Sequence, residues 1–186
     1  YEMARAYARR ASEIAGEGGS VIQRTRRGIA LLFEARALSR LGKHREAVGL
    51  LEDALSLWAR DSYWQSYAHL FLGQYKLALD EPDEALRHLE RGVITLGEFD
   101  WLRRFSSELF LCLGEALVRL QRPQEAVNFF QRAIAEAQEI VDVPWRAHSR
   151  LGRIHEAMGD DAQALKHYAE AIRILSLIHI SEPTRL

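Results

Sequence analysis

WRAHSRLGRIHEAMGDDAQALKHYAEAI, Trp145 to Ile172, reads as a helix, a tight turn and a second helix. In its first half, His148, Leu151, Gly152, His155 and Met158 recur at steps of three and four, which puts them on one helix face, toward a partner helix. In its second half, Ala164, Tyr168, Ala171 and Ile172 do the same. Between the halves, Gly159 can take the left-handed conformation that stops a helix, and Asp160 can cap the next one. The stretch therefore predicts a helical hairpin.

The same frame recurs upstream. Leu113-Gly114, Ala126, Phe130 and Ala133 repeat it, as do Leu72-Gly73, Ala85, Leu89 and Gly92, and then Ala35, Gly42, Ala47, Leu51 and Ala54. This order of small and aromatic residues resembles the tetratricopeptide repeat, and four copies in one frame make the resemblance specific. Anchored on Ala47, Ala85, Ala126 and Ala164, the steps are 38, 41 and 38 residues, longer than the usual repeat of about 34. Long helices are therefore expected. The resemblance implies an all-α fold, a right-handed α-solenoid of tetratricopeptide-like hairpins, acting as a protein-binding scaffold. Periods near 40 are similar to those in repeat arms of ATP-dependent bacterial signalling proteins and transcriptional regulators, so a sensor or regulatory arm is the alternative reading.

The expected repeat domain covers 1–174, with an orphan helix over 1–17 and units at about 20–58, 61–96, 100–141 and 143–174. In the orphan segment Ala4, Ala8 and Ala11 keep the spacing of the later second helices; Gly16, Gly18 and Gly19 then break it, and Ser20 is a candidate cap. Pro82 and Pro123 share one frame position, suited to the first turn of a helix, where no backbone N–H is needed. Glu34 departs from the pattern, standing where the other copies carry Leu72, Leu113 and Leu151. Leu175 to Arg185, LSLIHISEPTR, resembles a translated sequencing adapter over eleven consecutive residues. Residues 175–186 are therefore set aside as an artefactual tail, expected to be disordered, although Leu175 to Ile180 is apolar enough to extend the last helix. With the missing first partner helix, this suggests a metagenomic fragment of a larger bacterial protein.

Composition excludes several classes. No run of eighteen apolar residues exists to span a bilayer, and YEMARAYARR lacks the apolar core of a signal peptide. Cys112 is the only cysteine, which agrees with a reducing, cytoplasmic location and reads as a core residue. Up to Arg60 there are 11 Lys and Arg against 7 Asp and Glu, and from Asp61 to Ile174 there are 13 against 18. The basic end, with Arg24, Arg26 and Arg27, matches no nucleic-acid motif and reads as a solvated helix face, so neither nucleic acid nor membrane is expected as a partner.

No catalytic constellation is present, and no cofactor is expected. There is no P-loop and no G-x-S-x-G, and His148 and His155 lack the nearby Cys or carboxylates of a metal-ligand pattern. Trp58, Trp64, Trp101 and Trp145 fall at unit junctions and read as inter-repeat packing.

The resemblance implies a binding groove lined by the first helix of each unit. Its candidate positions here are Leu32, Arg36 and Arg40; Tyr67, Leu70, Gln74 and Leu77; Leu111, Glu115 and Arg119; Arg153 and Glu156. This set lacks the Lys and Asn residues that grip a terminal carboxylate in chaperone-binding relatives. The expected partner is a protein or peptide, presenting an extended or helical segment with apolar anchors and acidic residues.

Overall fold

Each turn is made by one residue with a positive φ: Gly42 (77°), Asp80 (62°), Gln121 (59°) and Gly159 (76°). These residues occupy the same place in the repeat. At every one the chain closes by the same pair of backbone hydrogen bonds. Gly42 N–H donates to Ser39 O and Lys43 N–H to Leu38 O, and the pattern recurs at Asp80–Glu81, Gln121–Arg122 and Gly159–Asp160. This is a Schellman stop, which satisfies carbonyls that the helix end leaves open. Pro82 and Pro123 start the following helices, as their frame position suggested, while Asp80 and Gln121 bear the left-handed conformation.

The computed structural model describes residues 20–58, 63–97, 105–137 and 142–181, with helical positions Met3, Ala6, Arg9, Arg10 and Glu13 before them. Four hairpins follow from the four turns. The first is α1 (Val21–Arg40) and α2 (His44–Leu57), the second α3 (Tyr63–Ala78) and α4 (Pro82–Gly97). The third is α5 (Ser106–Arg119) and α6 (Pro123–Ala135), the fourth α7 (Asp142–Ala157) and α8 (Asp161–Ser181). No strand occurs among the described residues, and the fold is all-α, built of tetratricopeptide-like hairpins. Ser20 caps α1, its Oγ accepting from Gln23 N–H at 3.2 Å, and Asp160 caps α8 by accepting from Gln163 N–H.

The helices fall in two compact units divided between Phe99 and Asp100. In the first, α1 packs on α2 and α3 on α4; α2 and α1 both touch α3. Its core joins Leu32, Ala35 and Leu38 to Ala47, Leu51 and Ala54 and to Ala68, Leu72 and Tyr75. Trp58 covers one side of this core, stacks on Trp64 at 6.4 Å, and donates its Nε1–H to Thr25 O. Both tryptophans thus serve packing; Trp101 lies outside the described residues.

The second unit repeats the scheme with α5 on α6, α7 on α8, and α7 touching both α6 and α5. Phe110, Leu113, Leu117, Phe130, Leu151 and Ile154 are buried there, as is Cys112. Full burial of a side chain such as Phe130 contributes about 1.5–3 kcal/mol.

Three expectations need correction or completion. Met158 and Ile172, assigned to packing faces, are more than half exposed: Met158 lies at the turn, and Ile172 shares the uncovered side of α8 with Leu165. Helix α8 runs on to Ser181, so 175–181 is helical, as the apolar run through Ile180 allowed, and the expected disorder does not hold there. Residues 182–186 lie outside the described residues, as do Ala4, Ala8, Ala11 and the Gly16–Gly19 break.

Candidate partner-binding surfaces

The first helices of adjacent hairpins touch within each unit, α1 with α3 and α5 with α7. Each contact creates a shallow surface beside the core. On the first-unit surface, Leu32, Leu70 and Leu77 are buried, Tyr67 and Gln74 half-buried, and Arg36 and Arg40 exposed. The three leucines thus belong to the core rather than to a floor that a partner could touch. Arg36 lies over the rings of Phe71 at 5.0 Å and Phe33 at 5.7 Å, so its charge is held by aromatic faces. Below it, burial pushes the Tyr75 phenol up, a shift moderated by its hydrogen bond to Ser39 and by Arg36 and Arg40 nearby.

The second unit holds a real concavity, a cleft of about 690 Å³ between α5, the start of α6, and α7. Val118, Ile154, Ala157 and Met158 supply its apolar lining. Glu115, Arg119, Arg150 and Arg153 supply the charge. The single carboxylate among these is already engaged: Glu115 accepts from Arg150 Nη2 at 3.2 Å and Nε at 3.3 Å, and Arg146 Nη2 stands 3.9 Å away. Arg146 also donates to Glu108 at 3.1 Å. Burial would lower the pKa of Arg146, yet the carboxylates of Glu108 and Glu115 outweigh it and raise it. With Glu115 bonded to Arg150, Arg119 and Arg153 stand exposed at the edge of the cleft.

The structure thus brings Glu115, Arg119 and Arg153 together around one cleft, and not the rest of the candidate set. Leu111 is fully buried. Glu156 is exposed and accepts a hydrogen bond from the Tyr168 hydroxyl at 2.7 Å, which pushes the Tyr168 phenol up. Sequence reasoning missed Arg150 and Met158. Arg150 could have been found as one of the arginines on the face of α7 at steps of three and four, Arg146, Arg150 and Arg153. Among the described residues, no group of three or more His, Cys, Asp or Glu side chains is arranged to hold a metal ion, and no helix is long and apolar enough to cross a membrane.

Comparison with known proteins agrees with this architecture. Three family profiles, each described as tetratricopeptide repeat, match residues 35–60, 66–91 and 105–176. Among solved structures, BtubC (BKLC) from P. vanneervenii aligns with TM-score 0.81 at 18% identity, over 100% of this chain and 77% of that one. MamA from Desulfovibrio magneticus RS-1 aligns with TM-score 0.65 at 18% identity, over 92% and 95%. The nearly identical TPR-like repeats of a Podosopora anserina chain named for kinesin light chain align with TM-score 0.63 at 19% identity, over 97% and 96%. Likeness at this identity speaks to the fold. No curated protein matches the sequence. From the repeated frame, the four hairpins and the three matching profiles together, the chain belongs to the tetratricopeptide repeat family.

Proposed function

We propose that this chain is a non-catalytic interaction module of the cytoplasm, and that the cleft between α5 and α7 receives a segment of a partner protein. The segment carries an apolar side chain for Val118, Ala157 and Met158, and a carboxylate for Arg119 and Arg153. The observation that carries this reading is the charge balance of the cleft. Its only lining acid is occupied by Arg150 at 3.2 Å, which leaves an apolar concavity edged by arginine. Such a combination provides burial from the floor and selectivity from the rim. The first-unit surface, with Arg36 and Arg40 over a floor that is already buried, is secondary.

Selection from a library of twelve-residue peptides tests this. Peptides combining Leu, Met or Phe with Asp or Glu should be enriched, and their binding should weaken with added salt, because exposed charge pairs are screened. Arg119→Glu with Arg153→Glu should lower their affinity at least about tenfold, the equivalent of one charge-assisted contact, while Arg36→Glu should change it little. Enrichment of peptides without acids, or binding indifferent to the double variant, would overturn the assignment.

A further inference from the structure

Four of the histidines form two pairs at one repeat position. His69 on α3 faces His88 on α4, with Nδ1 to Nδ1 at 3.1 Å; His148 on α7 faces His167 on α8 at 2.9 Å. Each first member lies four residues before Gly73 or Gly152, and each second member nineteen residues further on. In the third hairpin this position holds Phe110 and Phe129, with ring centroids 6.2 Å apart. In the first it holds Leu31 and Leu50. The place is therefore built for a contact between the two helices of a hairpin, and only the second and fourth hairpins make it with imidazoles.

The ring geometry identifies the contact. Centroids stand 5.3 Å apart in the first pair and 5.2 Å in the second. An imidazole nitrogen sits roughly 1.1 Å from its ring centre, so the two Nδ1 atoms lie close to the line between the centroids and point at each other. A chelated metal would need both lone pairs aimed at a third point about 2.0–2.1 Å from each. A direct N–H···N bond needs one protonated and one bare Nδ1. Two protons would set hydrogen against hydrogen at this distance.

We propose that the second and fourth hairpins are each held by one proton shared between the paired Nδ1 atoms, and that protonation of both imidazoles on acidification, which puts a proton on each Nδ1, opens these two hairpins in preference to the first and third. The surroundings resist the extra charge. Arg91 from α4 faces His69, whose pKa is lowered to about 4 by burial first and then by His88 and Arg91. His88 is lowered by burial and by Lys76, Arg91 and Arg87, against the pull of Glu84. In the fourth hairpin, burial lowers His148 together with Arg173, against Glu170; it lowers His167 together with His148, His155 and Lys166. His155 adds a stacked ring 5.4 Å from His167, with Asp160 Oδ2 3.7 Å from its Nδ1.

The sign follows from linkage. A histidine whose folded pKa lies below the unfolded value contributes stability that is complete above pH 6.5 and is lost as pH falls toward the folded value. At pH 5, His69 alone, with values of 6.5 and about 4, shifts the opening equilibrium about thirtyfold.

Nitrogen-15 NMR of the wild-type chain tests the proton count directly. At pH 7.5 each pair should show one protonated and one bare Nδ1; four bare Nδ1 atoms would overturn the proposal. Amide exchange at pH 7.5 and pH 5, corrected for intrinsic rates, tests the consequence. Protection should fall about thirtyfold or more in α3–α4, fall in α7–α8 as well, and change in α1–α2 and α5–α6 by less than about threefold. His69→Phe with His88→Phe, and His148→Phe with His167→Phe, copy the third hairpin and should each remove the acid response of their own hairpin. A uniform loss of protection in all four hairpins, or an acid response that survives both double variants, would refute the proposal.

Discussion

The ring of Phe130 occupies the space that a β-carbon on Gly114 would need: such an atom would stand 2.5 Å from Phe130 Cε1 and 2.7 Å from Cζ. Phe130 is fully buried and has nowhere to retreat. Gly114→Ala gains helix propensity of about 1 kcal/mol but overpacks a closed core at a cost of about 1–3 kcal/mol. A net loss of up to about 2 kcal/mol is expected in urea denaturation. Gly152→Ala should cost less, because Tyr168, 2.6 Å from the added atom, is only half-buried and can shift. Gly49, within α2, has nothing within 4 Å of an added β-carbon, so Gly49→Ala should stabilise by about 1 kcal/mol.

The four turn residues make an opposite prediction from one conformation. Asp80 and Gln121 hold φ near 60° without being glycine, which costs about 1–2 kcal/mol each. Gln121→Gly should therefore stabilise by about 1 kcal/mol, and Gly42→Ala and Gly159→Ala should destabilise by a similar amount although no atom lies near their missing side chains. Thermal melts of these variants check the sign in each case.

Glu34 is buried where its counterparts Leu72, Leu113 and Leu151 close the core, and its carboxylate lies 3.6 Å from Arg9, which is mostly exposed. Replacing a buried ion pair by a well-packed apolar residue is commonly neutral or stabilising. Glu34→Leu should raise stability by about 1 kcal/mol, and Glu34→Ala, which leaves a cavity, should lower it. Denaturation midpoints of the two variants read the difference.

Arg146 joins α7 to α5 by its bond to Glu108 and its approach to Glu115. Arg146→Met should cost about 1–2 kcal/mol, below the figure for a fully buried pair because all three side chains keep some solvent contact. Arg146→Met combined with Glu108→Gln should cost less than the sum of the single changes, and a double-mutant cycle measures that coupling. Additive losses would mean that the pair does not connect the hairpins.

The repeat itself was legible in the residues. Small residues at Gly73, Gly114 and Gly152 stand sixteen places before Leu89, Phe130 and Tyr168 because the second helix of a hairpin lays a large side chain against the bare backbone of the first. That is a local rule, and local rules show in spacing. The all-α class, the turns and the capping roles of Ser20 and Asp160 followed from it. The left-handed residue in the two turns that precede Pro82 and Pro123 did not, because Gln121 carries no signal of positive φ and Asp80 only the weak one of an aspartate; the hydrogen-bonded turn imposes it on them.

The candidate groove was legible only in part, for a different reason. Spacing places Leu32, Leu70, Leu77 and Leu111 on the face toward neighbouring first helices, but how far those helices close decides whether the side chains line a surface or fill the core. They fill it. Likewise Glu115 and Arg153 look equivalent in the frame, and only the approach of α7 to α5 gives Glu115 to Arg150 while leaving Arg153 at the edge of the cleft. The histidine pairs belong to the same class: nineteen residues apart in sequence, they become a shared-proton contact only once the two helices of a hairpin are packed. The sequence by itself determined the repeated hairpin, since its periodicity is local and written four times. Tertiary packing decided which charges remain available, because a charge is neutralised by whichever partner the fold brings within reach.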